Sequence, residues 1–418
     1  MNQKTSLYNY LIDNKNNPDL EILKCEIDQR IYYYGDQFKS PYKHKNTTDY
    51  KFILRLIRSL IRTQNFVKGN PNIISNAYFN LENELTSIGY NVFSPPWDIS
   101  SKRFLAFEFD TLIKLKKVND QLSDYSLRHL ISPEFNSKLQ IIKNILKKYF
   151  EKNKIKAFIV PNDIAPLSRL SIDLCKELKI PSFIFLHGIP GRYNAIDENR
   201  TDFLLVWGEE IKKNYIKNGF SPNKVIVVGH PIYREVKNQN ITFNLDDVLI
   251  ISKSMNGGQH GDDVILTDRG NLILYLYRVE EVLKAMGVKK ARVRLHPSEN
   301  EEWYQENIDT EFYTFDHLSL KDSLKRSSVV IGPTSTVFLD AMYCGTNYVI
   351  FEPLVNGTDL INYPIVAPFD GSDKRIVASH SEKELEYVLK NKVIHDISFF
   401  KDYVSTPFDI SILKNIIH

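Results

Sequence analysis

Residues 329–345 read VVIGPTSTVFLDAMYCG: an apolar run of strand length, a Gly-Pro stop, three hydroxyl side chains in a row, then an apolar stretch of helical length. Strand, tight turn and helix in that order form the unit from which parallel α/β sheets are built. Ser and Thr oxygens accept from the unpaired N–H groups that begin a helix, so capping is one use for Thr334, Ser335 and Thr336. Their other use is to hold a phosphate, which gains those N–H groups and the positive end of the helix dipole together. Asp340 lies about one turn deeper, on a face shared with Thr336, where a carboxylate can accept two hydroxyls of a ribose. The plainer reading of Asp340 is a solvated helix residue favoured by the dipole.

Working outward, the same rhythm recurs on both sides. Downstream comes the strand YVIFEP, and upstream DVLIISKS, the helix GNLILYLYRVEEVLKAMG, ARVRLHP, FYTF, the helix LKDSLKRS and SVVIGP. An earlier series runs NIISNAYF, the short helix NLENELTSIG, YNVFSPPWD, a long helical region from 104 to 154, KAFIVPND, the helix APLSRLSIDLCKELKI, PSFIFLHG, DFLLVWG, the helix EEIKKNYIKNGF and KVIVVGHP. Strands that are nearly continuous in apolar residues and alternate with helices imply parallel sheets covered on both faces. The polar connector YREVKNQNITFNLDD divides the two series, with a hinge near 235–246. The expected fold is therefore α/β, with two Rossmann-like doubly wound domains facing each other across a cleft. Their bounds are 1–238, a domain with a basic helical N-terminal region, and 239–418, a domain whose last helix can pack back on the first.

The whole chain is consistent with this. Its 418 residues exceed one ordinary core, and 43% hydrophobic with 25% charged residues is globular composition rather than disorder. Cys25, Cys175 and Cys344 are scattered without CxxC spacing, so neither a disulfide framework nor a zinc site is indicated. No GxGxxG fingerprint, GxxxxGK[ST] loop or HExxH spacing occurs, which argues against a nicotinamide enzyme, a P-loop NTPase and a metal site; no cofactor is expected. The opening residues lack the apolar core of a signal peptide, and the expected location is the cytoplasm.

Ligands of doubly wound sheets lie at the carboxyl ends of strands, which narrows the chemistry to a few residues. His187, in FLHGIPG, follows a buried strand, and a neutral imidazole there can take a proton from an acceptor hydroxyl. Asp163, in VPND, competes as base, although Asn-Asp before a helix also makes an ordinary cap. In the second series Ser252 and Lys253, then Arg294, His296 and Pro297 in VRLHP, join the hydroxyl cluster and Asp340 as candidate nucleotide ligands. His230, in VVGHPIYR, reads as a structural marker of the domain boundary.

Residues 37–72 hold a local charge of +7 against about −4 for the remainder. Within them Lys51, Arg55, Arg58 and Arg62 fall at spacings that put them on one helical face of 49–64, beside Phe52, Ile53, Leu56 and Leu60. Such a helix can lie on anionic lipid, or pack with its basic face solvated.

The blocks FIFLHGIPGRYN, VWGEEIKKNYIKNGF, VIVVGHP, VRLHPSE and SLKRSSVVIGPTSTVFLDAMYCGTNYVIFEP resemble the ordered motifs of bacterial GT-B glycosyltransferases of surface polysaccharides, nearest the CDP-glycerol glycerophosphotransferase and polysialyltransferase-like group. The resemblance spans about residues 155–355. It implies His187 as base, His296 as a donor-phosphate ligand, Thr334, Ser335 and Thr336 as the family's Ser/Thr cluster and Asp340 as its following acid. This chain departs from the glycerophosphotransferases by lacking a Trp before and a Lys after the His-Gly pair, and by carrying PTST where many have two serines.

The resemblance implies an inverting, metal-independent transferase that moves a sugar from a CMP-, CDP- or UDP-linked donor to a hydroxyl of a capsule, lipopolysaccharide or teichoic-acid-like glycan. That acceptor could be lipid-linked and reached at the inner face of the plasma membrane through 49–64. No nucleic-acid partner is expected. A polyol-phosphate transferase and a nucleotide-sugar 2-epimerase or hydrolase of the same architecture are the alternatives, though the Gly-Asp-Thr motif of the epimerases is absent. A non-catalytic binding partner in an assembly complex is the third.

Overall fold

The computed structural model describes residues 12–16, 22–23, 53–54, 57, 66–97, 111–115, 117, 132–163, 165–190, 193, 199–234, 241, 243–253, 269–296, 299, 301–355, 358–359 and 365–418. Of the basic helix 49–64, only Ile53, Leu54 and Ile57 are among them, and Lys51, Arg55, Arg58 and Arg62 lie outside the described residues. Pro297 does as well.

The first series forms one six-stranded sheet from β1 (Asn72–Ser75), β2 (Asn91–Phe93), β3 (Ile155–Val160), β4 (Ser182–Phe185), β5 (Phe203–Val206) and β6 (Val225–Val227). Its order is β2-β1-β3-β4-β5-β6 and every pairing is parallel. The second sheet is built from β7 (Val248–Ile251), β8 (Ala291–Arg294), β9 (Tyr313–Phe315), β10 (Val329–Gly332), β11 (Tyr348–Phe351) and the edge strand Ala378–Ser379. It too is wholly parallel, with β10 and β7 adjacent at its middle, β11 and the edge strand beyond β10, and β8 and β9 beyond β7.

Both orders reverse direction once, and the reversal decides where a ligand fits. In the first sheet the chain steps outward from β1 to β2 and returns to β3. In the second it steps from β7 through β8 to β9 and returns to β10. The crevices at the carboxyl ends of β1 with β3, and of β7 with β10, are the topological switch points where doubly wound sheets bind ligands.

The sheets are sandwiched as continuous apolar strands require. Val329, Val330 and Ile331 are all fully buried although successive side chains point to opposite faces. Helix Pro166–Leu178 covers one face of the first sheet, starting with proline at its first turn and ending where Lys179 turns left-handed at φ 57°. No helix among the described residues is long and apolar enough to cross a membrane.

The halves are not simple beads. After helix Glu382–Lys390 the chain leaves the second sheet and returns to the first. Helix Phe400–Tyr403 packs beside helix Glu209–Lys217, Ser405 N donates to Trp207 O at 2.8 Å and Asp409 N to Val228 O at 2.9 Å. Ile410, Leu413 and Ile417 complete the core formed by Ile73, Phe183, Phe185, Leu205 and Val228. This strap runs so close to the strand ends that a Cβ on Gly208 would lie 2.3 Å from the Tyr403 carbonyl carbon, a distance only glycine permits.

Candidate active site

His187 follows β4 by two residues, and its side chain is exposed at the sheet's carboxyl edge. Its Nδ1 lies 3.1 Å from the carbonyl oxygen of Pro161, at the end of neighbouring β3. A carbonyl only accepts, so Nδ1 carries the proton and Nε2 keeps its lone pair. Adjacent parallel strands thus fix the tautomer a general base requires.

Tyr78 stands beside it, 73% exposed, with its ring centroid 6.2 Å from that of the imidazole. The sequence pattern treats NIISNAYF as one apolar strand. In the structure the strand stops at Ser75, and Tyr78 and Phe79 lie in the crevice beyond it. Phe79 turns inward to meet the His230 ring at 4.5 Å while Tyr78 turns out.

Asp163 is placed differently. It is 1% exposed, and Arg200 occupies both its oxygens, through the backbone N–H at 3.0 Å and the guanidinium at 3.4 Å. Desolvation raises its pKa, opposed by the bonds and charge from Arg200. His187 is therefore exposed at the strand ends, whereas the Asp163 carboxylate is buried against a guanidinium.

The second half presents the β7–β10 crevice. Lys253 Nζ lies 3.4 Å from Thr334 O, and burial lowers its pKa while the Glu352 carboxylate raises it. Glu352, fully buried at the end of β11, accepts from Thr334 N, and Tyr348 Oη donates to Pro333 O at 2.6 Å. Side chains from β11 thus pin the turn that follows β10. Ser252 Oγ accepts from His296 N at 2.9 Å, which ties the end of β8 to the end of β7. His296 itself is exposed; enough protein surrounds the ring to press its pKa below the ordinary imidazole value, with Glu299 opposing and Lys253 adding to the fall.

The three hydroxyls divide their work. Ser335 Oγ accepts from Val337 N at 3.3 Å, a local turn bond just before the helix, whose N-cap position is Thr336. Thr336 Oγ1 accepts from Ile189 N at 3.1 Å, a bond that crosses from the second half to the loop after His187. A Cβ on Gly188 would meet that same hydroxyl at 3.1 Å, so the His-Gly pair lets the two halves approach. Thr334 is 8% exposed. Helix Val337–Cys344 then begins at the mouth of the crevice.

Asp340 faces the first half. Its Oδ1 accepts from Tyr233 Oη at 2.5 Å, and burial pushes its pKa up to about 6 against the opposing pull of that bond. Arg294 points away from the crevice. Its Nη1 donates to Leu318 O at 2.7 Å and Ser323 Oγ at 3.2 Å and lies 4.0 Å from Asp316, near the Arg292–Asp316 pair. Side chains two apart on a strand share a face, and β8 commits Arg292 and Arg294 to this lateral network. Arg294, expected among the phosphate ligands, is thus bonded within this network, while Lys253 and His296 stand at the ends of β7 and β8.

His230 is a core residue. It is 1% exposed between Phe79, Trp207 and Tyr233, its Nδ1 accepts from Ile232 N at 3.1 Å, and burial presses its pKa down to about 3.

No protein-family model matches this chain, and no curated protein does. Solved structures do resemble it. UDP-GlcNAc 2-epimerase from Neisseria meningitidis bound to UDP-GlcNAc is 13% identical over 82% of this chain and 97% of its own, at a TM-score of 0.43. The lipopolysaccharide outer core galactosyltransferase WaaB is 11% identical over 82% and 97%, at 0.40. The wall teichoic acid polymerase TagF, as its H444N variant, is 11% identical over 88% and 96%, at 0.42. Two parallel doubly wound halves, bridged at Thr336 and Tyr233 with their strand ends facing one cleft, are the GT-B architecture.

Proposed function

We propose that the protein is an inverting glycosyltransferase that moves a sugar from a nucleotide-activated donor to a hydroxyl of a bacterial surface glycan. One observation carries this reading. The open Nε2 of His187 lies at the end of β4, and the loop that follows is bonded directly to the hydroxyl turn of the second half at Thr336. A proton acceptor and an anion-accepting helix start thus share one cleft.

In the proposed reaction the acceptor oxygen attacks the anomeric carbon from the face opposite the leaving phosphate. A carbon–oxygen bond forms as the bond to the phosphate oxygen breaks, and the electron pair leaves on that oxygen. The acceptor proton passes to His187 Nε2. The start of helix Val337–Cys344, Lys253 and His296 stabilise the departing charge, a role fixed dipoles and cations perform without reorganisation. Asp340 accepts from the ribose, and the exposed ring of Tyr78 offers an apolar face to the acceptor beside the base.

The test is an assay with CMP-, CDP- and UDP-linked donors, with and without glycan acceptor. Nucleotide release that requires acceptor and yields a new glycosidic linkage of inverted configuration supports the reading. Acceptor-independent release, or interconversion of the donor sugar, indicates the hydrolase or epimerase. Release of CMP from a CDP-linked polyol, with transfer of the phosphate, indicates the polyol-phosphate transferase.

A further inference from the structure

Tyr233 lies in the loop after β6, three residues beyond His230, and is 1% exposed. Its ring is fixed on three sides: stacked on His230 at 4.1 Å, and against Tyr343 at 5.0 Å and Phe400 at 5.4 Å. With the ring immobile, the direction of its hydroxyl is set, and that hydroxyl donates to Oδ1 of Asp340, 107 residues on and in the other half of the molecule. Burial drives the phenol's pKa well above its ordinary value, so it stays a donor.

Resting on the reading of Asp340 as the ribose acceptor, we infer that Tyr233 is a positioning residue of the nucleotide site. By engaging Oδ1 from the first half, it turns the carboxylate so that Oδ2 alone takes the ribose, and recognition falls on one hydroxyl instead of two. A carboxylate free to rotate would accept both hydroxyls at once. One held by a clamped phenol has a single oxygen aimed outward. The consequence is an asymmetry between the two ribose hydroxyls, created by a residue that never touches the nucleotide.

The experiment uses the full chain. Thermal shift with CMP, CDP, UDP and GDP selects the nucleotide, and calorimetric titration then compares its ribo, 2′-deoxy and 3′-deoxy forms on the wild type, Tyr233→Phe, Asp340→Ala and the double variant. The wild type is expected to bind the ribo form about tenfold or more tighter than one deoxy form, the scale of a lost hydrogen bond to a charged group, and within about twofold of the other. Tyr233→Phe is expected to abolish that asymmetry, Asp340→Ala to discriminate against neither form, and Tyr233→Phe to add nothing in the Asp340→Ala background. Unchanged ribo-to-deoxy ratios in Tyr233→Phe would make the contact merely structural and overturn the inference. Equal discrimination against both deoxy forms by the wild type would overturn it as well, and needs no variant that folds. If the wild type binds none of the nucleotides, the proposed function fails, and this inference with it.

Discussion

At the scale of single residues, His187 and Asp163 look alike in the sequence, each a titratable side chain just past a buried strand. The structure separates them by exposure and by what holds them. His187→Ala is therefore expected to lower turnover by about 10²- to 10⁴-fold with donor affinity nearly intact, the usual share of a general base. Asp163→Asn is expected to leave turnover within about threefold, because that carboxylate is buried against Arg200, and to cost no stability at pH 7, since desolvation raises its pKa despite Arg200. Steady-state kinetics beside thermal melts decide between them.

Asp340 carries a pH signature. Its pKa, pushed up to about 6, lies above the unfolded value, so folding favours the protonated form. The stability it contributes is present below about pH 4 and is lost as pH rises through 6. Among the described residues, Tyr233, bonded to it, and Cys344, one turn further on, are the titratable groups that interact with it, and both stay neutral across this range because their pKa values are raised. Asp340→Asn, which keeps an acceptor for Tyr233, is expected to melt higher than the wild type at pH 7 by the equivalent of roughly 1–3 kcal/mol. The gap should close as the pH falls through 6 toward 4. A gap that is constant with pH would mean the carboxylate is not strained by its burial.

Elements were the most legible level. Every strand of both sheets except the edge strand Ala378–Ser379 falls where the apolar runs put it, because a strand buried on two faces has little choice of residue. What the runs leave hidden is where each strand stops, since apolar side chains such as Tyr78 and Phe79 can continue past the last ladder bond. Also hidden is which neighbour anchors a turn. Glu352 reads as one more polar residue at a strand end, yet its fully buried carboxylate holds Thr334 N and offsets Lys253. Glu352→Ala is expected to destabilise the protein by about 3 kcal/mol, the scale of a buried charge left without its partner, and to weaken nucleotide binding. Chemical denaturation and titration with nucleotide check both, and full stability in the variant would refute the anchoring.

At the scale of the whole molecule the division into halves is readable from the restart of the βα rhythm, but the traffic between halves is not. Tyr233 and Asp340 are 107 residues apart, and no local pattern pairs them. For the strap the sequence suggests only a last helix able to pack back on the first domain; FKDY and SILKN do not name the grooves beside Trp207 and Val228 that receive them. Leu413 is fully buried against the first sheet, so Leu413→Ala is expected to cost about 2–5 kcal/mol and to lower the stability of the half to which it does not belong in sequence. Hydrogen exchange should show the added opening in β5 and β6 before β7 and β10; the reverse order would place the strap's support elsewhere.

That strap also fixes an order of events during synthesis. Chains are made from the N-terminus at about 5–20 residues per second, and domains usually fold as they emerge. Here the first sheet emerges early, but Ile410, Leu413 and Ile417, which cover one of its faces, are made after the whole second sheet. For roughly the ten to forty seconds that the intervening residues take to appear, the older half waits with an apolar face uncovered. The half that starts first is the one that finishes last, and nascent chains halted near residue 390 should bind chaperones through a surface that the finished protein no longer shows.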